Sequence, residues 1–296
     1  MTDEAVITLL LMDGTSNGVI KCTRDNWNGV AFKIPRTDVG ELADRDDLKQ
    51  TGVYLLLGVD EEAGQSSVYV GQAGNRQNGH GVLGRIKEHL NQNNDKAWYW
   101  THAIALLTAN DSFGPTEVSY LEHHFYVLAQ KAGRFQIKNS NTPSPGHVTE
   151  EKKIELDRFT EHAKLLVGSL GAKVFESLDP EADEVHSPDQ PVEPLLYLTY
   201  KSLAATGRRT PEGFVVLEGS GVSEETTPSC PNAALVNREK YATDIGPERK
   251  LLRDILFATP SAAAEFVMGA SASGNESWKN SDGVRLGVLE AQQAAL

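Results

Sequence analysis

Five side chains in the first half of the chain have the types and order that chemistry on a phosphate ester would use: Tyr54, Tyr69, Arg85, His89 and Glu122. Hydrolysis of a phosphodiester needs a water with a proton acceptor, charge neutralisation on the phosphoryl oxygens and help for the leaving oxygen. Tyr54 is a candidate acceptor, directly or through a hydrogen-bonded neighbour. A free phenol has a pKa of about 10, so a metal or another cation must depress it before it works alone at neutral pH. Arg85 offers a planar fork matched to phosphate. His89, four residues on and on the same helical face, can buffer or relay a proton. Glu122 is a hard oxygen ligand suited to Mg²⁺ or Mn²⁺ held mainly by water.

Each residue taken singly has a plainer explanation. A hairpin tyrosine ordinarily packs, and an Arg/His pair one turn apart is ordinarily a solvated helix face. Glu122 falls inside Tyr120-Leu121-Glu122-His123-His124-Phe125, bordering an apolar stripe where an unpaired carboxylate is costly. The adjacent His123 and His124 point about 100° apart on a helix and do not suit one metal ion. Order and spacing, not any single residue, carry the reading.

The elements that must position this set follow from pattern. Gly52-Val53-Tyr54-Leu55-Leu56-Leu57 and Val68-Tyr69-Val70-Gly71 are apolar runs joined by the polar stretch 60–66, which predicts a β-hairpin with one tyrosine on each strand, side by side. A glycine-rich loop (Gly71, Gly74, Gly79, Gly81) then leads into a helix over 82–91. Residues 98–107 read as a third core strand. Pro115 and Gly133 bracket a helix whose apolar positions Val118, Leu121, Phe125 and Leu128 share a face. Leu156, Phe159, Ala163 and Leu166 repeat that spacing over 150–170. Upstream, 5–12 and 30–34 read as strands and 37–50 as a short polar helix or loop.

Tyr, Tyr, Arg, His and Glu on hairpin, helix and helix resemble the GIY-YIG nuclease family over about residues 50–145. The matching positions are Gly52 and Tyr54, Tyr69 and Gly71, then Arg85, His89 and Glu122, with valine in place of isoleucine in both signature triads. The resemblance implies an α+β fold built on a small three-stranded antiparallel sheet flanked by helices. It also implies endonuclease activity on DNA, with RNA the alternative, and water as the nucleophile. Glu122 would be the ligand for Mg²⁺ or Mn²⁺. Those nucleases also place an asparagine near the scissile phosphate, which implies Asn139 or, alternatively, Asn141. Defence against foreign DNA is a role such families often serve. The competing reading is a GIY-YIG scaffold that binds nucleic acid or protein without cutting.

The carboxy-terminal part resembles a domain of unknown function often joined to such nucleases, through Phe214 to Ser220 and through Ser261-Ala262-Ala263-Ala264, Gly274-Asn275-Glu276-Ser277-Trp278-Lys279 and Gly283. Residues 195–200 and 214–217 are expected as strands separated by a basic turn Gly207-Arg208-Arg209. Residues 247–257 and 260–268 are expected as helices, the latter capped by Ser261. A protein partner or a homo-oligomer formed through this domain is a further expectation. The expected organisation is a strand-rich extension over 1–50, a nuclease-like domain over 51–178, a linker over 179–194 and a second α+β domain over 195–296.

With 40% hydrophobic and 23% charged residues, the 296-residue chain describes a globular protein with core enough for two domains. No apolar run reaches the roughly 18 residues of a membrane span. The start Met1-Thr2-Asp3-Glu4 lacks the basic character of a signal peptide, so a cytoplasmic protein is expected. Cys22 and Cys230, far apart, are expected as reduced thiols. The net charge of −13 argues against nonspecific coating of DNA, though not against a local basic groove. Residues 191–296 carry 10 Lys and Arg against 13 Asp and Glu, a net of −3 that makes a generic DNA clamp a poor fit.

Limited proteolysis should nick first within the acidic, proline-rich stretch 179–194 and release two soluble folded pieces. A first cut elsewhere, with aggregation of the pieces, would mean that the two halves share one core.

Overall fold

Near-continuous apolar runs build the central strands of the first sheet, because each of its faces is buried there under a separate layer. The computed structural model describes residues 4–60, 65–74, 81–90, 99–178 and 193–295. The chain is α+β and divides into two compact units, Met1–Glu176 and Ser177–Leu296.

In the first unit the expected hairpin is β4 (Gly52–Val59) and β5 (Ser66–Ala73), paired antiparallel. The register puts Gly71 opposite Tyr54 and Leu56 opposite Tyr69, so the tyrosines share a face as diagonal neighbours, not as a directly opposed pair. The other flank of β4 pairs with β6 (Trp100–Thr108), giving three antiparallel strands with β4 in the middle. That sheet does not stop at three strands. β1 (Ile7–Leu11), β2 (Ile20–Arg24) and β3 (Gly29–Pro35) continue it beyond β6, and β7 (Gln136–Ile137) joins β5 in parallel, for a mixed sheet in the order β1-β2-β3-β6-β4-β5-β7. Residues 1–50, expected as an extension, therefore supply strands to the same sheet and lie in the same unit.

Strand alternation sorts the core into two layers. Val53, Leu55, Val68, Val70, Ile104 and Leu106 pack on one face with α2 (Pro115–Ala132) and α3 (Glu150–Ser169). Tyr54, Leu56, Ala103, Ala105 and Leu107 pack on the other with α1 (Gly81–Glu88) and with Val39, Leu42 and Leu48 from two 3-10 helices, Arg36–Leu42 and Asp46–Lys49. Gly114 precedes α2, where the Gly114 N–H donates to the Glu117 carboxylate at 3.1 Å, and Gly133, at φ 65°, ends it in the left-handed conformation. The Thr149 hydroxyl caps α3 by accepting from the Lys152 N–H. The helix expected over 82–91 is helical to Glu88; residue 91, the glycine loop over 75–80 and loop residues 61–64 lie outside the described residues.

The second unit holds a four-stranded antiparallel sheet, β8 (Leu196–Tyr200), β9 (Leu203–Thr210), β10 (Gly213–Val216) and β11 (Ile255–Phe257), in the order β11-β10-β9-β8. Its core gathers Phe214, Phe257, Phe266 and Trp278 beneath α5 (Pro260–Met268). α4 (Asn232–Lys240), α6 (Gly274–Ser277) and α7 (Leu286–Gln293) complete it. Arg238 donates to the carbonyls of Phe266 at 2.9 Å and Val267 at 3.4 Å, satisfying the carboxy-terminal end of α5.

Three expectations for this unit are corrected. Gly207-Arg208-Arg209 is not a turn but the middle of β9, with Arg208 buried and paired to Val215; the turns fall on either side of the strand. Residues 247–257 are not helical. Gly246, Pro247 and a left-handed Arg249 (φ 58°) break the chain, and Ile255–Phe257 joins the sheet instead. The cap of α5 is Thr259, whose hydroxyl accepts from the Ala262 N–H at 3.1 Å, while Ser261 accepts from the Gly274 N–H at 2.9 Å. The proposed linker lies outside the described residues apart from Glu193 and Pro194. Among the described residues no helix is long and apolar enough to cross a membrane. Cys22 and Cys230 are both free thiols.

Thr259→Ala removes the α5 cap without opening a cavity. It should lower the stability of the second unit by about 1 kcal/mol in denaturant unfolding. No change would show that Pro260 alone starts this helix.

Candidate functional site

The site is centred on Tyr54, which is fully buried in the middle strand. Its hydroxyl lies 2.9 Å from His89 Nε2, and its ring sits 5.8 Å from the imidazole and 6.2 Å from the Tyr69 ring. The Tyr69 ring is 5.0 Å from the same imidazole, so the three rings form one cluster. Gly71 makes the cluster fit. A Cβ there would stand 2.4 Å from Tyr54 Cζ and 2.8 Å from Tyr69 Cε1, inside any tolerable contact. The second glycine of the motif is therefore a packing requirement of the first tyrosine.

His89 follows the last helical residue of α1, and its N–H donates to the Ile86 carbonyl at 3.2 Å, which continues the turn and keeps the ring against Tyr54. Arg85, one turn earlier, is half-buried and pairs with Glu88. Burial lowers the Arg85 pKa, but the Tyr54 phenol and the Glu88 carboxylate outweigh it and leave the guanidinium firmly charged. Its positive charge acts on both phenols.

Glu122 arrives from the opposite layer, on α2, bordered by the buried Leu121 and Phe125. Burial pushes its carboxyl above the usual carboxylate range, opposed by hydrogen bonds from Gln72 and by the charge of Arg85. Its negative charge in turn reaches Tyr54 and Tyr69 and raises both. The structure thus brings five of the six expected residues into one electrostatic neighbourhood. Gln72 and Glu88 are the partners that sequence reasoning missed. Glu88 had a signal in its i,i+3 spacing from Arg85; Gln72 had none beyond its place next to Gly71.

Asn139 is placed differently. Its carboxamide accepts from the Val70 N–H at 3.0 Å and donates to the Val70 carbonyl at 2.8 Å, so it pairs with the outer edge of β5 as a strand residue would. Lys138 continues the same edge, its N–H donating to the Val68 carbonyl at 2.8 Å. Asn141 is exposed. Past Val70, no described strand pairs with the outer side of Gly71–Ala73. This open edge is where groups from the two faces of the sheet meet.

A divalent cation can be tested against these donors. Among the described residues no group of three or more His, Cys, Asp or Glu side chains converges as a metal site. Glu122 alone remains, a half-buried carboxylate whose ionised form the protein disfavours. That fits a hard ion held by one carboxylate and otherwise by water, as Mg²⁺ commonly is. His123 and His124 do not add to it: His123 Nδ1 contacts the Pro143 carbonyl at 2.8 Å, and His124 Nδ1 lies 3.7 Å from Asp157.

Burial first, and then the neighbouring Tyr69 and Glu122, raise the Tyr54 pKa well above the ordinary phenol, against Arg85; burial and Glu122 do the same to Tyr69. The folded chain therefore holds these protons more tightly than the unfolded chain. Their contribution to stability is complete below a pH of about 10 and declines as pH rises beyond it. Tyrosinate absorbance should show these phenols ionising later than free tyrosine, and Tyr54→Phe should remove one late group. Ordinary ionisation of all the tyrosines in folded protein would overturn this placement.

Residues 196–290 match the family model of a domain of unknown function, DUF4357. The expected character of the carboxy-terminal part is therefore shown, while no GIY-YIG family model matches the chain. No curated protein and no solved structure matches it.

Proposed function

We propose that the first unit is a metal-dependent endonuclease that hydrolyses phosphodiester bonds in DNA with water as the nucleophile. The observation that carries this reading is the contact between the Tyr54 hydroxyl and His89 Nε2, 2.9 Å apart, beside a charged arginine and a half-buried carboxylate. A phenol whose pKa is raised cannot act as a resting phenolate. It can pass a proton on: the attacking water gives a proton to the Tyr54 oxygen while the Tyr54 proton moves to a neutral His89 at Nε2. Tyr69 flanks the same imidazole and limits its orientation. Arg85 offers its fork to the non-bridging phosphoryl oxygens as negative charge builds on them. Glu122 would hold the divalent ion, which supplies further charge neutralisation on the phosphoryl group and its leaving oxygen.

The competing reading is a scaffold that binds nucleic acid or protein without cutting, and the acidic total of −13 favours it. Against it stands Glu122. A binding scaffold gains nothing from a carboxylate that burial disfavours, and glutamine would keep a hydrogen bond to Gln72 without the charge.

The test uses purified full-length protein and plasmid DNA. Cleavage should require Mg²⁺ or Mn²⁺ and should vanish in Glu122→Ala without loss of fold. Arg85→Lys, which keeps the charge but loses the fork, should slow turnover by roughly one to three orders of magnitude while binding changes far less. Cleavage in EDTA, or undiminished cleavage by Glu122→Ala, would remove the metal role. No cleavage of DNA or RNA under any divalent ion would leave the scaffold reading.

A further inference from the structure

We infer that Arg36, Tyr99 and Trp100 form a contact for one unpaired nucleotide of a nucleic-acid strand, its base on the Tyr99 ring and its phosphate on the Arg36 guanidinium. The inference takes the class of ligand from the nuclease reading above but none of the chemistry.

The three residues are brought together by the sheet. β3 and β6 are antiparallel neighbours with Pro35 opposite His102, so Arg36, leaving β3, meets Tyr99 and Trp100 at the start of β6. The guanidinium carbon lies 4.6 Å from the centroid of the Trp100 ring and 4.9 Å from that of Tyr99. Trp100 is the fixed wall of this stack, only 3% exposed, and its indole N–H points at the His89 carbonyl at 3.5 Å. The stack is thereby tied to the backbone of a residue of the candidate site. Tyr99 is the outer wall, and 54% of it faces solvent.

The charge on Arg36 has no acidic partner among the described residues, although the chain carries 41 Asp and Glu. Nor does any described group accept a hydrogen bond from its guanidinium. A guanidinium is weakly hydrated over its faces and donates through its edges, so stacking engages the faces and leaves the edges for an oxyanion. If the role were packing alone, Trp100 would suffice to hold the arginine stem, and a large exposed ring at position 99 would add apolar surface to water without return. An aromatic ring beside an uncommitted arginine suits a nucleotide: stacking is available to any base, and the phosphate supplies the charge. Duplex DNA offers no free base face, so the ligand is a single strand or an unpaired end.

The experiment measures fluorescence anisotropy of a short labelled single-stranded oligonucleotide with full-length Glu122→Ala protein and no divalent ion, so that cleavage plays no part. Adding Tyr99→Ala should weaken binding by roughly five- to a hundredfold, the loss of one stacked base, while Tyr99→Trp should retain it. Arg36→Ala should weaken binding and reduce the slope of log affinity against log salt by about 0.7, the loss of one phosphate contact. Thermal unfolding should leave Tyr99→Ala unchanged, because the ring is exposed. Unaltered affinity in both variants, or no binding before they are introduced, overturns the inference. The two readings fail separately. Loss of binding in Tyr99→Ala with no cleavage by the wild type would keep this contact and remove the nuclease. Normal cleavage with binding indifferent to Tyr99 and Arg36 would do the reverse.

Discussion

A buried phenol must find a partner for its hydroxyl, since an unpaired polar group in a core costs about 1–3 kcal/mol, and Tyr54 is wholly buried. His89 Nε2 meets that need, and much of the first unit can be traced to the meeting. For the imidazole to reach Tyr54, α1 must end over the sheet, so Val82, Leu83 and Ile86 are buried beneath it. For α1 to start where it does, the backbone of Gly81 must approach that of Lys49; a Cβ at Gly81 would lie 2.0 Å from the Lys49 carbonyl oxygen, and its φ is 41°. For the Tyr54 ring to lie flat on β5, position 71 must also be glycine. Two glycines and a histidine are thus conditions on a single side chain.

Charge is the second constraint. In a chain of net −13, cations near the site are few and their surroundings matter. Arg85 is already neutralised in part by Glu88, and its influence spreads over both phenols and Glu122. The acidic total and the proposed substrate are compatible if phosphate is held at a small number of well-placed groups and not by a broad basic face. Under that arrangement affinity is modest and sensitive to salt, and selectivity must come from contacts other than charge.

What could be read from the sequence was local. The hairpin tyrosines, α1, β6, α2 and α3 each announce themselves by alternation, by a helical stripe or by a bracketing proline and glycine. The cluster of Tyr54, Tyr69, Arg85, His89 and Glu122 follows from those elements. What could not be read depended on partners distant in sequence. β2 carries the alternation Ile20, Cys22 against Lys21, Thr23, but over only five residues. Whether the sheet stops at three strands or continues into β3, β2 and β1 depends on the other edge of β6, about which β6 itself says nothing. Gly207-Arg208-Arg209 resembles a turn until Phe214 lies against Gly207, and 247–257 resembles a helix because Leu251 and Ile255 are four apart, although the left-handed Arg249 breaks the backbone just before them. α4, with Ala234 its only buried residue, has no apolar stripe to reveal it.

Asn139 shows how a residue can serve a site without reaching into it. With its carboxamide bonded to the amide and carbonyl of Val70, it extends the cover of β5 by one pair beyond β7 and no further. Had a true strand continued there, the outer edge of Gly71–Ala73 would be sealed and α2 would be held away from the layer of α1. Ending the cover at Val70 leaves room for Glu122 to meet Gln72 while its charge reaches Tyr69, Tyr54 and Arg85 around the end of the sheet. Groups from opposite faces of a sheet are normally insulated from each other by two layers of side chains. Here a strand left unpaired over its last residues removes that insulation, and the interruption of the sheet makes one site from two layers.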